Sequence, residues 1–146
     1  MQGVIHYSFL KTNETITAAK YCLDIDIVYK KLEKLRPALV NRKGPILLQD
    51  NARPHVSHLT LQKLKELGVE VLPHPPYSPD LAPTDYHLFK HLADHMKDKQ
   101  FTDVNNLKQE FINFIDSRTP DFFSNGIIKL LSRWQKCIDS NGNYFD

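Results

Sequence analysis

LLQDNARPH (47–55) and HPPYSPDLAPTDYHLF (74–89) are the stretches on which the fold of this chain turns. Pro45-Ile46-Leu47-Leu48 is a short apolar run of the kind that makes a buried strand, and Asp50 closes it. Asp85 opens an apolar helical pattern just behind Pro83, where proline is tolerated as a first helical residue. Thirty-four residues separate the two acids. A strand end and a helix start that bring two carboxylates to one place could hold divalent metal ions, which phosphodiester chemistry on nucleic acid requires.

Outward from these blocks, the pattern alternates between strand and helix. Val4 to Leu10 is β-rich in composition and predicts a strand. Thr15 or Thr17 can cap a helix that runs to about Arg36 and stops before Pro37; Tyr21, Ile25, Val28, Leu32 and Leu35 give it one apolar face. Ile46 to Asp50 predicts the next strand, and Val56 to Leu67 a helix with Gly68 as its stop. Val69 to Leu72 predicts a further short strand, which completes a parallel βαβ unit. Prolines at 73, 75, 76 and 79 make a stiff extended loop. Helices follow from Pro83 to about Lys97, from Val104 to Ile115, and from Thr119-Pro120 onward, the last with a possible break at Gly126. Its Trp134 is most simply core. The residues alone support an α/β fold with extra C-terminal helices.

Composition narrows the classes. A chain of 146 residues is one domain and buries about two-thirds of its unfolded surface. A net charge of +2 permits a locally basic groove without announcing a nucleic-acid binder. Cys22 and Cys137 lie in helical patterns without metal spacing and read as reduced, buried thiols. No apolar run is long enough to span a bilayer, and Met1-Gln2-Gly3 does not resemble a signal peptide, so no membrane partner is expected.

The two acidic blocks resemble the second and third acidic motifs of the mariner family of DNA transposases, whose Asp, Asp, Asp triad has 34 residues between its last two members. GVIHYSFLK (3–11) is similar to the strand following the first acidic strand of that family, and GIIKLLSRWQKCIDSNGNYFD (126–146) to its C-terminus. The resemblance covers essentially the whole chain. It implies a ribonuclease H-like catalytic core, here a single partial domain over 1–146 lacking its first two strands. It also implies Asp50 and Asp85 as catalytic, metal-binding residues, Mg²⁺ or Mn²⁺ as cofactor, and DNA, at transposon ends, as partner. A homodimer and a nuclear location are implied for the intact family. The family's first catalytic Asp and its paired helix-turn-helix modules lie upstream of the segment that 3–11 resembles. The expectation is therefore a truncated domain with weakened metal binding, inactive alone. The alternative is a non-enzymatic DNA- or protein-interaction module. A mariner domain fused to a histone methyltransferase resembles this chain too, but carries Asn in the third motif where this chain keeps Asp85.

Each residue also has a plainer reading. Asp50-Asn51 suits an Asx turn. Asp85 suits the first turn of a helix, where the dipole favours an acid. Asp80 is a turn residue in the proline-rich loop, and Glu14 a poor substitute for a first acid. Asn51, Arg53 and His55 flank Asp50 and are candidate nucleic-acid contacts; Arg53 suits phosphate, and suits a surface acid equally well. His87, His91 and His95 line one helix face at a spacing that can bind zinc, without an acidic or cysteine partner signalled.

Overall fold

The computed structural model describes residues 3–145. The chain forms two compact units, Ile5–Tyr77 and Met1–Val4 with Ser78–Asp146.

In the unit Ile5–Tyr77, Thr17 caps helix α1 (Ala18–Leu35), its hydroxyl accepting the Lys20 amide at 3.2 Å. The helix stops where Pro37 holds Arg36 outside the helical region, at φ −143° and ψ 60°. A π-helical turn, Leu39–Lys43, leads to strand β1 (Ile46–Leu47). Helices α2 (Arg53–Val56) and α3 (His58–Glu66) follow and pack on α1. Strand β2 (Glu70–Val71) lies parallel to β1, with Ile46 opposite Glu70 and Leu47 opposite Val71. The expected strand–helix–strand unit is therefore present. Its core is Cys22 and Ile25 of α1 with Thr60 and Leu64 of α3. Gly68 ends α3 as expected, at φ +67°, a conformation that costs glycine little.

Three elements expected in this unit need correction. Residues 4–10 form no strand among the described residues. A strand requires a ladder partner, and this segment is instead held by side chains of α1: Lys31 Nζ donates to the Ile5 carbonyl at 3.2 Å and His6 Nε2 lies 3.0 Å from Asp24. The strand expected over 46–50 pairs only at 46 and 47, because Gln49 and Asp50 turn into side-chain bonds. The single helix expected over 56–67 is two. Ser57 is extended at ψ 150° and its hydroxyl caps α3 through the Thr60 amide, so the chain breaks where serine competes best for helix N–H groups.

In the second unit a short 3₁₀ turn, Pro79–Leu81, precedes a π-helical turn, Thr84–Phe89, which runs into helix α4 (Lys90–Met96). The helix expected from Pro83 to Lys97 thus opens with a wide turn. Helix α5 (Val104–Asp116) is capped by Asp103, and α6 (Pro120–Asp139) by Thr119 with Pro120 at its first position, as the sequence predicts. Phe114, 1% exposed, centres the packing among α4, α5 and α6: the Phe122 ring meets it edge-on at 6.2 Å and Arg118 lies over it at 4.7 Å.

Helix α6 runs unbroken through Gly126. That glycine is required by close approach: a Cβ there would fall 2.5 Å from His87 Cδ2. The apolar pattern of α6 is only partly core. Leu130 is buried, but Trp134 is 38% exposed and Leu131 and Ile138 more so, because the neighbouring turns cover just the stripe through Phe122, Gly126 and Leu130. Leu35 of α1, expected on the buried face, is also exposed. The two cysteines are free, Cys22 buried and Cys137 half-buried. No helix among the described residues is long and apolar enough to cross a membrane.

Candidate metal and nucleic-acid site

Asp50 stands three residues beyond the end of β1. Its Oδ1 accepts the Ala52 amide at 2.9 Å, which makes the Asx turn, and lies 2.5 Å from His55 Nδ1. Oδ2 has no hydrogen bond from any described residue, and the side chain is 59% exposed. Burial acts to raise the Asp50 carboxyl, but the Ala52 and His55 hydrogen bonds and the nearby His55 and His74 charges outweigh it, and the net shift is downward. The group is thus an ionised carboxylate with one oxygen fixed and one open, the donor chemistry that suits a hard divalent cation.

A buttress behind Asp50 was not foreseen. Tyr21 of α1 donates its hydroxyl to Gln49 Oε1 at 2.7 Å, and Gln49 Nε2 donates to the His55 carbonyl at 3.0 Å. The Tyr21 and His55 rings lie 4.4 Å apart. Burial, and after it the Asp50 charge, push the Tyr21 hydroxyl up to about 12. Below, Thr60 is fully buried, donates to the Pro54 carbonyl at 2.5 Å and accepts from Ser57 Oγ at 2.9 Å. Ser57 stands just before the apolar-periodic Leu59, Leu61 and Leu64, a helix-start signal that could have located the break. The Tyr21–Gln49 contact spans 28 positions and left no local trace.

The flanking candidates divide. Asn51 Nδ2 is committed to the His74 carbonyl at 2.7 Å, and His55 holds Asp50 through Nδ1. Arg53, at the start of α2, is exposed and makes no hydrogen bond or ion pair among the described residues.

Asp85 lies in the other unit, exposed, in the first turn of the segment Thr84–Phe89, its amide donating to the Ala82 carbonyl at 2.9 Å. The residues beside it fasten this turn to α6. Tyr86 donates to the Gly126 carbonyl at 2.5 Å, and His87 Nε2 lies 2.7 Å from the Phe122 carbonyl. Arg133 of α6 donates to the Asp80 carbonyl at 3.1 Å and lies over the Tyr86 ring at 4.1 Å. Burial lowers the His87 pKa and raises that of Tyr86. The three histidines line one face as the spacing predicts, each with a partner: His87 on the Phe122 carbonyl, His91 Nδ1 on the His87 carbonyl at 2.6 Å, and His95 Nε2 on Glu110 at 2.6 Å. Glu14 is tied to Lys20 at 2.6 Å. Among the described residues no group of three or more His, Cys, Asp or Glu side chains converges to hold a metal ion.

No family model matches the sequence. Two relatives do. The chain is 60% identical over 144 residues to the human (Homo sapiens) histone-lysine N-methyltransferase SETMAR, covering 99% of this chain and 21% of that protein. It is 36% identical over 145 residues to the mariner Mos1 transposase of Drosophila mauritiana, covering 99% of this chain and 42% of that protein. The Mos1 catalytic domain solved with Raltegravir and Mg superposes with a TM-score of 0.92 at 38% identity, over 99% of this chain and 73% of that one.

The chain belongs to the mariner transposase family. The Mos1 paired-end complex with the left transposon end matches as well, with a TM-score of 0.90 at 37% identity, over 99% of this chain and 42% of that one. This mariner chain spans about a fifth and about two-fifths of the lengths of the two relatives, and what it matches is part of a catalytic domain.

Proposed function

We propose that these 146 residues form part of a mariner catalytic domain of ribonuclease H-like fold, in which Asp50 and Asp85 are the second and third catalytic carboxylates. The observation that carries the reading is the state of Asp50: ionised, fixed through Oδ1 and open at Oδ2. The 34-residue spacing to Asp85 supports it, and so does the likeness to a Mos1 catalytic domain solved with Mg. Asp50 and Asp85 would each give oxygen ligands to Mg²⁺ or Mn²⁺, which suits hard cations. Bound there, such a cation supplies Lewis-acid activation at a phosphodiester. His55 and the Ala52 amide hold Asp50 in place, and Arg53 meets a DNA phosphate, with Asn51 and His55 shaping the turn that presents it. DNA is the proposed partner, on the strength of the family and of the Mos1 complex with a transposon end.

Two carboxylates give a weaker site than three, so these 146 residues taken alone should bind Mn²⁺ weakly and should not nick DNA. Mn²⁺ titration followed by electron paramagnetic resonance tests the assignment. Asp50→Asn and Asp85→Asn should each weaken binding about tenfold, and the double variant by less than the product of the two, because either loss already breaks the shared chelate. Unchanged Mn²⁺ binding in either single variant overturns it.

A second reading is an interaction module without catalysis. The outward apolar residues of α6, Ile127, Leu131, Trp134 and Ile138, favour it. A chain that fails to bind Mn²⁺ yet retains DNA or a protein partner would select this reading.

A further inference from the structure

Charge is distributed very unevenly along this chain. Lys30, Lys31, Lys34, Arg36, Arg42 and Lys43 put six of the nineteen Lys and Arg residues into fourteen positions, against one acid, Glu33. The remaining thirteen cations face sixteen acids. The formal charge of +2 is thus the sum of a strongly basic segment and an otherwise acidic chain.

All six side chains are exposed. Among the described residues none is in an ion pair, although lysines elsewhere are: Lys20 with Glu14, Lys63 with Asp26, Lys99 with Glu110. Lys31 alone is partly engaged, on the Ile5 carbonyl. Asp26, one turn before Lys30 on α1, is paired with Lys63; across the fold Glu66 and Glu70 flank Gly68, whose carbonyl lies against Gly44. Neither forms a salt bridge with a cation of the segment, and Glu66 instead accepts from Gln62 at 2.9 Å. The α1 dipole accounts for a cation in its last turn such as Lys34. It does not account for Lys30, more than a turn before the helix end, or for Arg42 and Lys43, which belong to the turn Leu39–Lys43. Nor is this a contiguous basic run displayed on an extended chain, since the cations are spread along a folded helix and a turn.

We propose that this segment, the C-terminal half of α1 with the turn after it, is a contact surface for the phosphate backbone of duplex DNA, separate from the turn at Asp50. The proposal rests on DNA being the partner of this family member, and adds where the backbone is held. Tyr21, whose hydroxyl bonds the neighbour of Asp50, and Lys34 are thirteen residues apart on one helix. At 1.5 Å per residue Lys34 stands roughly 20 Å along the helix from Tyr21, a distance that about six base pairs of duplex span. Lys30 and Lys34 share one face of α1, one turn apart, and Arg36 and Arg42 bring guanidinium groups that can grip phosphate oxygens two at a time. The surface is sequence-blind: it holds the duplex while other residues act on it.

The test is binding of the whole 146-residue chain to a fluorescein-labelled 30-base-pair duplex of arbitrary sequence, by anisotropy, in EDTA and across a salt series. Removing divalent metal separates this measurement from the Mn²⁺ titration, so either can fail without the other. The variant K30Q/K34Q/R42Q/K43Q should bind at least tenfold more weakly at the lowest salt. The slope of log K against log salt should become shallower by about three to four. A control, K65Q/K90Q/K97Q/K129Q, removes the same charge from exposed positions elsewhere and should stay within about twofold. R42Q/K43Q, confined to the turn, keeps α1 intact and should take about two from the slope, which covers a fold defect in the larger variant. Equal losses in patch and control variants, or no loss in the patch variants, overturn the proposal. So does poly-glutamate that competes as well as unlabelled duplex at equal charge, because the surface would then suit an acidic protein.

Discussion

His55 Nδ1 and Asp50 Oδ1 stand 2.5 Å apart, five residues from each other in sequence, across the turn that joins β1 to α2. The contact fixes one oxygen of an exposed carboxylate and helps hold its pKa below the ordinary 3.8. A depressed carboxylate pKa means the folded state binds the proton less well than the unfolded chain does. Its stabilising effect is therefore complete above about pH 4 and is lost as pH falls through the lower folded value. His55→Gln should raise the Asp50 pKa, measured by carboxyl carbon NMR. It should cost only about 0.5 kcal/mol at neutral pH, because an exposed ion pair is screened by water.

Tyr21 reports on the same turn from the other side. Its hydroxyl is pushed to about 12, first by burial and then by the Asp50 charge. Ultraviolet difference titration should show one tyrosine ionising near that value, and Asp50→Asn should bring it down while leaving the burial contribution. The raised value also means that stability is lost as pH climbs from about 10 towards 12, since the unfolded tyrosine ionises first. A Tyr21 that ionises at about 10 would show that the buttress is not formed in solution.

Gly126→Ala tests the seam between α6 and the turn carrying Asp85. In an open helix this change stabilises by about 1 kcal/mol. Here the new Cβ would fall 2.5 Å from His87 Cδ2, and His87 is held by the Phe122 carbonyl. The expected outcome has the opposite sign, a loss of about 1–3 kcal/mol in denaturant unfolding. Ile128→Ala, an exposed change on the same helix, should move stability by less than about 0.5 kcal/mol.

The parts that were legible in the sequence are those set by local chemistry. Thr17, Gly68 and Thr119-Pro120 mark helix ends through caps and a positive φ, and the parallel pairing follows from strand, helix and strand in order. Segment 4–10 was misread because strand propensity is a preference for a pleated, paired surface, and composition cannot supply the partner. The α6 stripe was over-read because periodicity reveals an apolar face without revealing what covers it. Leu130 is buried and Leu131 exposed on the same helix. At the site, Asp50 and its Asx turn could be read from DNARPH. The Tyr21–Gln49 and Arg133–Tyr86 contacts join residues 28 and 47 positions apart, beyond the reach of any local pattern.

Thr60→Val should be costly although it keeps the shape. The Thr60 hydroxyl is fully buried, donates to the Pro54 carbonyl and accepts from Ser57, which itself caps α3. Valine leaves two polar groups without their partner, a loss of about 1–3 kcal/mol. Thr60→Ser keeps the hydroxyl and should cost less, and a valine variant as stable as the unmodified chain would show that the hydroxyl bonds add nothing net.

The last prediction concerns self-association. Ile46 on β1 is 60% exposed, and β1 has a ladder partner on one side only, β2, among the described residues. Leu23 and Ile27 add exposed apolar surface on α1, and Leu131 and Ile138 on α6. Unpaired strand edges and apolar faces template contact with other chains. The isolated chain should therefore elute from size-exclusion chromatography as a concentration-dependent mixture above monomer. Ile46→Lys should shift it towards monomer through the strand edge, and Leu131→Lys through the helix face. Comparing the two identifies which surface dominates. A sharp monomer peak for the unmodified chain, with a cooperative thermal transition unaffected by either lysine, would show that neither surface drives association.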